Sequence, residues 1–229
     1  MQARLVRSEP LAEGVNQFVF EAVGMERLAF TPGQFVSVQH EIEGKPITRA
    51  YSLASAPHEH NRFELCLNRV EGGKLSPHLF SMQPGDSIEM SAPLGTFVLR
   101  EPARDSILIA TGTGVAPFRA MLRAQLPHGT PQFTLLFGVR YESHLLYRAE
   151  FEDHAARYSQ FRFRPTLSRS GSGWSGRTGH VQAHLEEAIG GRTDVDFYLC
   201  GLKQMVDDVR GTLKEMGFDR KQIRYEKYD

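Results

Sequence analysis

Ala110-Thr111-Gly112-Thr113-Gly114-Val115-Ala116-Pro117-Phe118-Arg119 is the stretch on which the reading of this chain turns. The apolar, β-prone run Ser106 to Ala110 leads into it, and the segment Pro117 to Leu126 that follows carries apolar residues at helical spacing. Strand, glycine turn and helix in that order place free N–H groups where an anion can meet them. The glycines let the backbone turn tightly and approach a pyrophosphate, and Pro117 suits a first helical turn because it has no N–H to leave unpaired. A bare Gly-x-Gly also occurs in plain tight turns, so the motif alone leaves both readings open. The chain contains no Gly-x-x-x-x-Gly-Lys-Ser/Thr sequence, which argues against an ATPase.

Downstream, the same alternation continues. Phe133 to Val139, Phe161 to Leu167, Asp196 to Cys200 and Ile223 to Tyr228 read as buried strands, whereas Leu145 to Tyr158, Val181 to Ala188 and Gln204 to Met216 read as helices. Strands alternating with helices imply a parallel sheet covered on both faces. Upstream the pattern differs: short strands at Gln17 to Glu21, Gln34 to Gln39, Ala50 to Ser55, Arg62 to Val70 and Ser87 to Ser91 are separated by Gly- and Pro-rich turns. That spacing predicts an all-β sandwich or barrel. The reading is therefore of two domains, residues 1–100 and 104–229, with the boundary at Arg100-Glu101-Pro102-Ala103-Arg104.

Composition narrows the function. The chain has 229 residues, 27 basic against 27 acidic, and neither half stands out: residues 1–100 hold nine Lys and Arg against eleven acids, residues 101–229 eighteen against sixteen. This balance removes the cationic surplus of a nucleic-acid or membrane-surface binder. With two cysteines, Cys66 and Cys200, the chain has neither a disulfide framework nor a plant-type iron–sulfur run. The N-terminus lacks a signal-peptide apolar stretch, and no window approaches about 18 uninterrupted apolar residues. The expectation is a soluble, cytoplasmic monomer without a metal; His58 and His60 lack a third ligand in register.

Two further stretches carry chemistry or plain structure. Arg49-Ala50-Tyr51-Ser52 reads either as an ordinary strand with Tyr51 packed and Arg49 solvated, or as a cofactor-binding strand. Gly72-Gly73-Lys74-Leu75-Ser76 reads either as a hairpin or as a turn whose N–H groups and hydroxyl hold a diphosphate. Phe161-Arg162-Phe163-Arg164 alternates aromatic and basic residues, which strand geometry with arginines outward explains without nucleic acid. Ser168-Arg169-Ser170-Gly171-Ser172-Gly173-Trp174 reads as a polar loop, mobile without a ligand.

In this order and spacing, these motifs resemble the ferredoxin–NADP reductase family of flavoproteins. Arg49-Ala50-Tyr51-Ser52, Gly73-Lys74-Leu75-Ser76, Gly112 to Pro117, Tyr198-Leu199-Cys200-Gly201 with Met205, and Glu226-Lys227-Tyr228 together span nearly the whole chain. The resemblance implies an N-terminal antiparallel β-barrel that binds FAD and an α/β domain that binds NADP. It assigns Tyr51 to stacking on the flavin, Ser52 to a hydrogen bond at flavin N5, and Arg49, Ala50, Gly73, Lys74, Leu75 and Ser76 to the FAD cradle, with Thr113 and Tyr228 also on the FAD side. For the nucleotide it implies Gly112, Thr113, Gly114, Val115, Pro117, Cys200, Gly201 and Met205, with Ser168, Arg169 and Arg177 at the 2′-phosphate. NADPH is favoured over NADH because a dianion needs cations and hydroxyls, whereas an acidic residue at that position would suit NADH.

Ser52, Cys200 and Glu226 are the implied catalytic residues. Cys200 would help to position the nicotinamide, although a small buried strand residue is the plainer account of a cysteine there. Tyr228 matches a terminal aromatic that covers the flavin, but here Asp229 follows it; Tyr225 and Tyr228 could equally pack a last strand. The implied activity is hydride exchange between NADPH and FAD, with single electrons passing to a ferredoxin- or flavodoxin-like carrier. The segment Phe137 to Phe151 resembles reductase components of oxygenase systems. The alternatives are a reductase of diffusible flavin and a non-turnover subunit of a larger complex.

Overall fold

The computed structural model describes residues 1–42 and 44–228; the turn residue Glu43 and the final Asp229, with its expected effect on Tyr228, lie outside the described residues. The chain divides into two compact units, Met1–Val98 with Ala116–Ala124 and Leu99–Val115 with Gln125–Asp229.

The first unit is an antiparallel sheet of β1 (Gln2–Ala12), β2 (Val15–Ala22), β3 (Phe35–Ile42), β4 (Lys45–Ser52), β5 (Arg62–Asn68) and β6 (Ser87–Met90), in the order β4-β3-β6-β1-β2-β5. A bridge between Leu53 and Leu65 joins the two edges, and the Ala54 N–H donates to the Glu64 carbonyl at 2.8 Å. The sheet thereby closes into a barrel at this corner. Phe18, Phe20, Val36, Val38, Phe63, Leu65 and Ile88 fill it. The helix α1 (Leu75–Ser81) caps one side through Leu75 and Leu79. Two of these elements were not expected. Strand β1 has Pro10 and alternating charges and breaks register twice, and α1 is seven residues long with Pro77 in its first turn.

The second unit is a parallel sheet of β7 (Ser106–Thr111), β8 (Phe133–Val139), β9 (Phe161–Leu167), β10 (Arg177–Thr178), β11 (Asp196–Leu202) and β12 (Ile223–Tyr228), in the order β10-β9-β8-β7-β11-β12. The helix α2 (Ala116–Gln125), which follows the glycine turn, belongs to the first unit up to Ala124. Helices α4 (Leu185–Ile189) and α5 (Lys203–Glu215) bury Leu185, Val206, Val209 and Leu213 against Ile107, Ile109, Phe197 and Leu199. On the opposite face α3 (Arg148–Arg157) sets Phe151 against Phe161 and Phe163. Helix α3 begins three residues later than the periodicity suggests, because Tyr147 takes φ 57°, a left-handed conformation outside the helix, while Leu145 and Leu146 are buried ahead of it. No helix among the described residues is long and apolar enough to cross a membrane.

Candidate functional site

In the barrel, β4 presents the first motif. It pairs antiparallel with β3, setting Arg49 opposite Val38 and Tyr51 opposite Val36. Arg49 and Tyr51, two residues apart, share one face of the strand: Arg49 is exposed, with its Nη1 donating to the Thr48 carbonyl at 2.8 Å, while the half-buried Tyr51 packs on the barrel core. Ala50 is exposed and Ser52 buried. Burial pushes the Tyr51 phenol up to about 12 against the opposing pull of the Arg49 charge, so the ring stays neutral near pH 7.

A buried ion pair secures the strand's exit. Arg119 of α2 pairs with Glu64 of β5 and donates from Nη1 to the Ala54 carbonyl at 3.0 Å, with Arg123 3.6 Å from the same carboxylate. Glu64 was not singled out in the sequence, and Arg119 entered only as the last residue of the glycine-turn stretch, though the signal was there. Arg119 follows Val115 and precedes Leu122 at helical spacing, so it falls on the buried face, where a cation requires a partner.

The second motif is a turn into a helix, which excludes the hairpin alternative. Gly73 N–H donates to the Val70 carbonyl at 3.0 Å, and Val70 N–H donates to Ser76 Oγ at 2.9 Å. A Cβ on Gly73 would stand 3.0 Å from the Val70 carbonyl oxygen and Cβ, so a larger residue there would require Val70 to shift by a few tenths of an ångström. Lys74 is exposed, Leu75 enters the core, and the Ser76 hydroxyl keeps its proton to donate. Helix α1 packs beside β4. This donor set of Arg49, Lys74 and the Lys74 to Ser76 backbone suits a diphosphate, with the Gly73 N–H spent on the turn itself, and the neutral face of Tyr51 suits a flat ring system.

In the second unit the strand order reverses between β7 and β11: the chain leaves β7 for β8 on one side and returns as β11 on the other. Open α/β sheets bind ligands beyond the carboxyl ends of strands at such a point. Gly112 turns with φ 55° and faces open space, whereas Gly114 lies directly on the end of β11. Gly201, at φ 141°, would bring a Cβ within 2.3 Å of Thr111 Oγ1, and that hydroxyl accepts the Leu202 N–H at 3.1 Å. Thr113 is half-buried, while Val115 and Pro117 are buried, Pro117 as the second residue of α2.

Cys200 is fully buried and stands in register with Glu226 of β12. Burial, reinforced by the Glu226 charge, pushes the thiol well above its ordinary range, while a hydrogen bond with Tyr228 pulls the other way; the sulfur is a neutral thiol. Burial also raises the half-buried Glu226 carboxyl to about 7. Tyr228 therefore sits beside Cys200, whereas Tyr225 faces the other way, its ring 3.9 Å beneath the Arg210 guanidinium of α5. Met205 is buried in the core of α5 and the sheet.

Ser168 and Arg169 continue the β8–β9 ladder, their N–H groups donating to the Val139 and Arg140 carbonyls at 3.0 and 2.8 Å. Arg169 Nη1 donates to the Tyr141 hydroxyl at 3.3 Å, so Arg140 and Tyr141, which sequence reasoning did not assign to the site, stand beside it at the end of β8. Their placement directly after a predicted parallel strand was the available signal. Arg177 turns to Glu187, donating from Nε at 2.8 Å and also from Nη2, and Arg164 reaches the same carboxylate at 2.9 Å. The hydrogen bond from Arg177 leads in holding Glu187 down at about 2. Arg164 is thus ion-paired, not directed outward as strand alternation implied. His58 and His60 stack with centroids 4.7 Å apart.

Comparison with known proteins finds one family model for each half of the chain. The family model of the oxidoreductase FAD-binding domain matches residues 2–99, and that of the oxidoreductase NAD-binding domain matches residues 108–211. Ferredoxin–NADP reductase B of Sorangium cellulosum is 40% identical over 238 residues, covering 100% of this chain and 97% of the relative. The chain belongs to the ferredoxin–NADP reductase family. The toluate 1,2-dioxygenase electron transfer component of Pseudomonas putida is 32% identical over 99% of this chain and 67% of its own length. Among solved structures, a cytochrome P450 reductase of Amycolatopsis superposes with TM-score 0.88 at 28% identity, covering 99% of this chain and 69% of that one.

Proposed function

We propose that this chain is an FAD-dependent NADPH oxidoreductase that passes electrons singly to a ferredoxin- or flavodoxin-like protein. The observation that carries this reading is full-length similarity to a ferredoxin–NADP reductase in a chain that joins an FAD-binding to an NAD-binding domain. When bound, FAD accepts two electrons from nicotinamide as a hydride and releases them one at a time. Arg49, Lys74, Ser76 and the N–H groups of Lys74 to Ser76 would hold its diphosphate, with Gly73 shaping the turn, a fork-shaped guanidinium being well matched to phosphate oxygens. Tyr51 would stack on the isoalloxazine, and Ser52 would offer its hydroxyl to N5.

The Gly112 turn would take the nucleotide pyrophosphate, with Gly114 and Gly201 keeping the ends of β7 and β11 close. Cys200, a neutral thiol of small volume, would orient the nicotinamide without forming a bond to it. Glu226, poised near pH 7, would hold a proton on its carboxyl beside that thiol. Ser168 and Arg169 would bind the 2′-phosphate and so favour NADPH. Electron-transfer components of dioxygenases among the relatives support an oxygenase-type ferredoxin as one acceptor class. Two buried free thiols are consistent with a reducing, cytoplasmic setting, and we take the working form to be a monomer.

The test is spectral and kinetic. The purified protein is expected to stay yellow through gel filtration, with an FAD spectrum bleached by NADPH, and to reduce ferredoxin catalytically. A colourless protein that reduces added FMN would replace this reading by a diffusible-flavin reductase. Bound FAD without turnover would replace it by a non-catalytic subunit.

A further inference from the structure

Apart from Arg169 and Trp174, the loop from Ser168 to Gly176 consists of serine and glycine, a composition that by itself gives a flexible chain. In the structure it is folded around its tryptophan. Trp174 backbone N–H donates to the Gly171 carbonyl at 3.1 Å, and the indole Nε1–H donates to the Arg177 carbonyl at 2.8 Å, where the chain enters β10. The ring lies flat against Gly176, where a Cβ would come within 2.4 Å of indole Cζ2. From α3 the Arg148 guanidinium covers the indole, 5.7 Å from its centroid, and Arg148 is itself held by Glu142 and by Glu152, the latter accepting from Nε at 2.7 Å.

Both ends of the loop are anchored. Upstream, Arg169 is bonded through its backbone to Arg140; downstream, Arg177 lies in β10 with its guanidinium turned to Glu187. Between them, Trp174 supplies the side chain that closes the loop on itself. We propose that Trp174 is a positioning residue for nucleotide specificity, holding the Ser168–Gly176 loop folded so that Arg169 is in place before the adenosine 2′-phosphate arrives. This rests on the assignment of Ser168 and Arg169 to that phosphate. A pre-ordered arm lowers the entropy lost on binding, and the saving falls on NADPH alone, because NADH has no phosphate for Arg169 to meet.

The experiment compares kcat/KM for NADPH and NADH in the full-length flavoprotein and in Trp174→Ala, Trp174→Phe and Arg169→Ala. The NADPH-to-NADH ratio is expected to fall about tenfold in Trp174→Ala and less in Trp174→Phe, which keeps a ring on Gly176 but loses the N–H bond. A ratio within about twofold of wild type in Trp174→Ala, while Arg169→Ala lowers it, overturns the role of Trp174 and leaves the phosphate assignment standing. An unchanged ratio in Arg169→Ala overturns that assignment, and this proposal with it. Should Trp174→Ala fail to fold, the wild-type chain answers alone. Trp174 is its one tryptophan, and its fluorescence anisotropy is expected to be that of an immobilised indole before nucleotide is added and to stay so when adenosine 2′,5′-bisphosphate binds. An indole that rotates freely in the unliganded chain and is immobilised only as calorimetry records bisphosphate binding overturns the proposal.

Discussion

Gly114 and Cys200 are in backbone contact: a Cβ on Gly114 would stand 2.3 Å from the Cys200 carbonyl oxygen and 2.7 Å from Gly201 Cα. Neither obstacle is the end of a flexible side chain, so relief requires the glycine turn and the end of β11 to separate. Gly114→Ala is expected to cost about 1–3 kcal/mol of stability, toward the upper end because backbone must move. Denaturant unfolding followed by Trp174 fluorescence, which reports on the same unit, measures this. A wild-type midpoint would contradict the contact.

Cys200 is fully buried, and its thiol is pushed up by burial and by the Glu226 charge. Alkylation at pH 8 is therefore expected to leave Cys200 unmodified in the native protein and to label it after unfolding, as read by peptide mass spectrometry. Cys200→Ala should slow flavin reduction by NADPH about tenfold in stopped-flow mixing while FAD stays bound, because orientation and not covalent chemistry is lost. Reduction at the wild-type rate would remove Cys200 from the nicotinamide site.

Much of this architecture could be read from the residues, and the gaps have physical causes. The buried strands β7, β8 and β11 are largely continuous apolar runs, and β9 sets Phe161 and Phe163 between arginines; all four were located to within two residues. Strand β1 escaped because Arg4, Arg7, Glu9 and Pro10 give it the polarity of a loop, and its place between β6 and β2 is fixed by long-range pairing. The chemistry-bearing motifs were visible because glycine turns and the Arg-x-Tyr-Ser pattern are local. The Arg119–Glu64 pair joins residues 55 positions apart, and no local pattern matches one to the other. The Trp174 loop reads as mobile because composition reports serine and glycine; the indole hydrogen bond to the Arg177 carbonyl and the Arg148 guanidinium over the ring are contacts that composition does not register.

That ion pair leads to a strong expectation. Arg119 and Glu64 are largely hidden from solvent, with side-chain exposures of 6% and 16%, so removing one partner strands the other charge in a poorly solvated place. Glu64→Ala should destabilise the barrel unit by about 3–5 kcal/mol, whereas the double change Glu64→Leu with Arg119→Met should recover much of that loss. Release of flavin fluorescence on heating provides the measurement. A single mutant as stable as the double would show that the pair is not buried as described.

Arg169 and Arg177 are expected to behave differently. Arg177 is engaged by Glu187, while Arg169 contacts the Tyr141 hydroxyl. Arg169→Ala should raise KM for NADPH by about tenfold or more and leave KM for NADH within about twofold, since a charge-assisted contact to phosphate is lost only with the former. Equal effects on both nucleotides would refute the specificity assignment.

Glu226 sets a pH dependence whose sign can be worked out. Its carboxyl is raised by burial from an ordinary 4.5 to about 7, so between those values the native chain holds a proton that the unfolded chain has released. Stability from this group is present below pH 4.5 and is lost as pH rises through 7, because the native state must then bury a charge. Glu226→Gln removes the titration while keeping the size and hydrogen-bonding capacity of the side chain. The variant should gain stability over wild type as pH rises, the difference being larger at pH 8 than at pH 5 in matched denaturant titrations. A difference that stays flat or shrinks across that interval would show that the native carboxyl is charged at neutral pH, and would remove the proton that Glu226 is proposed to hold beside Cys200.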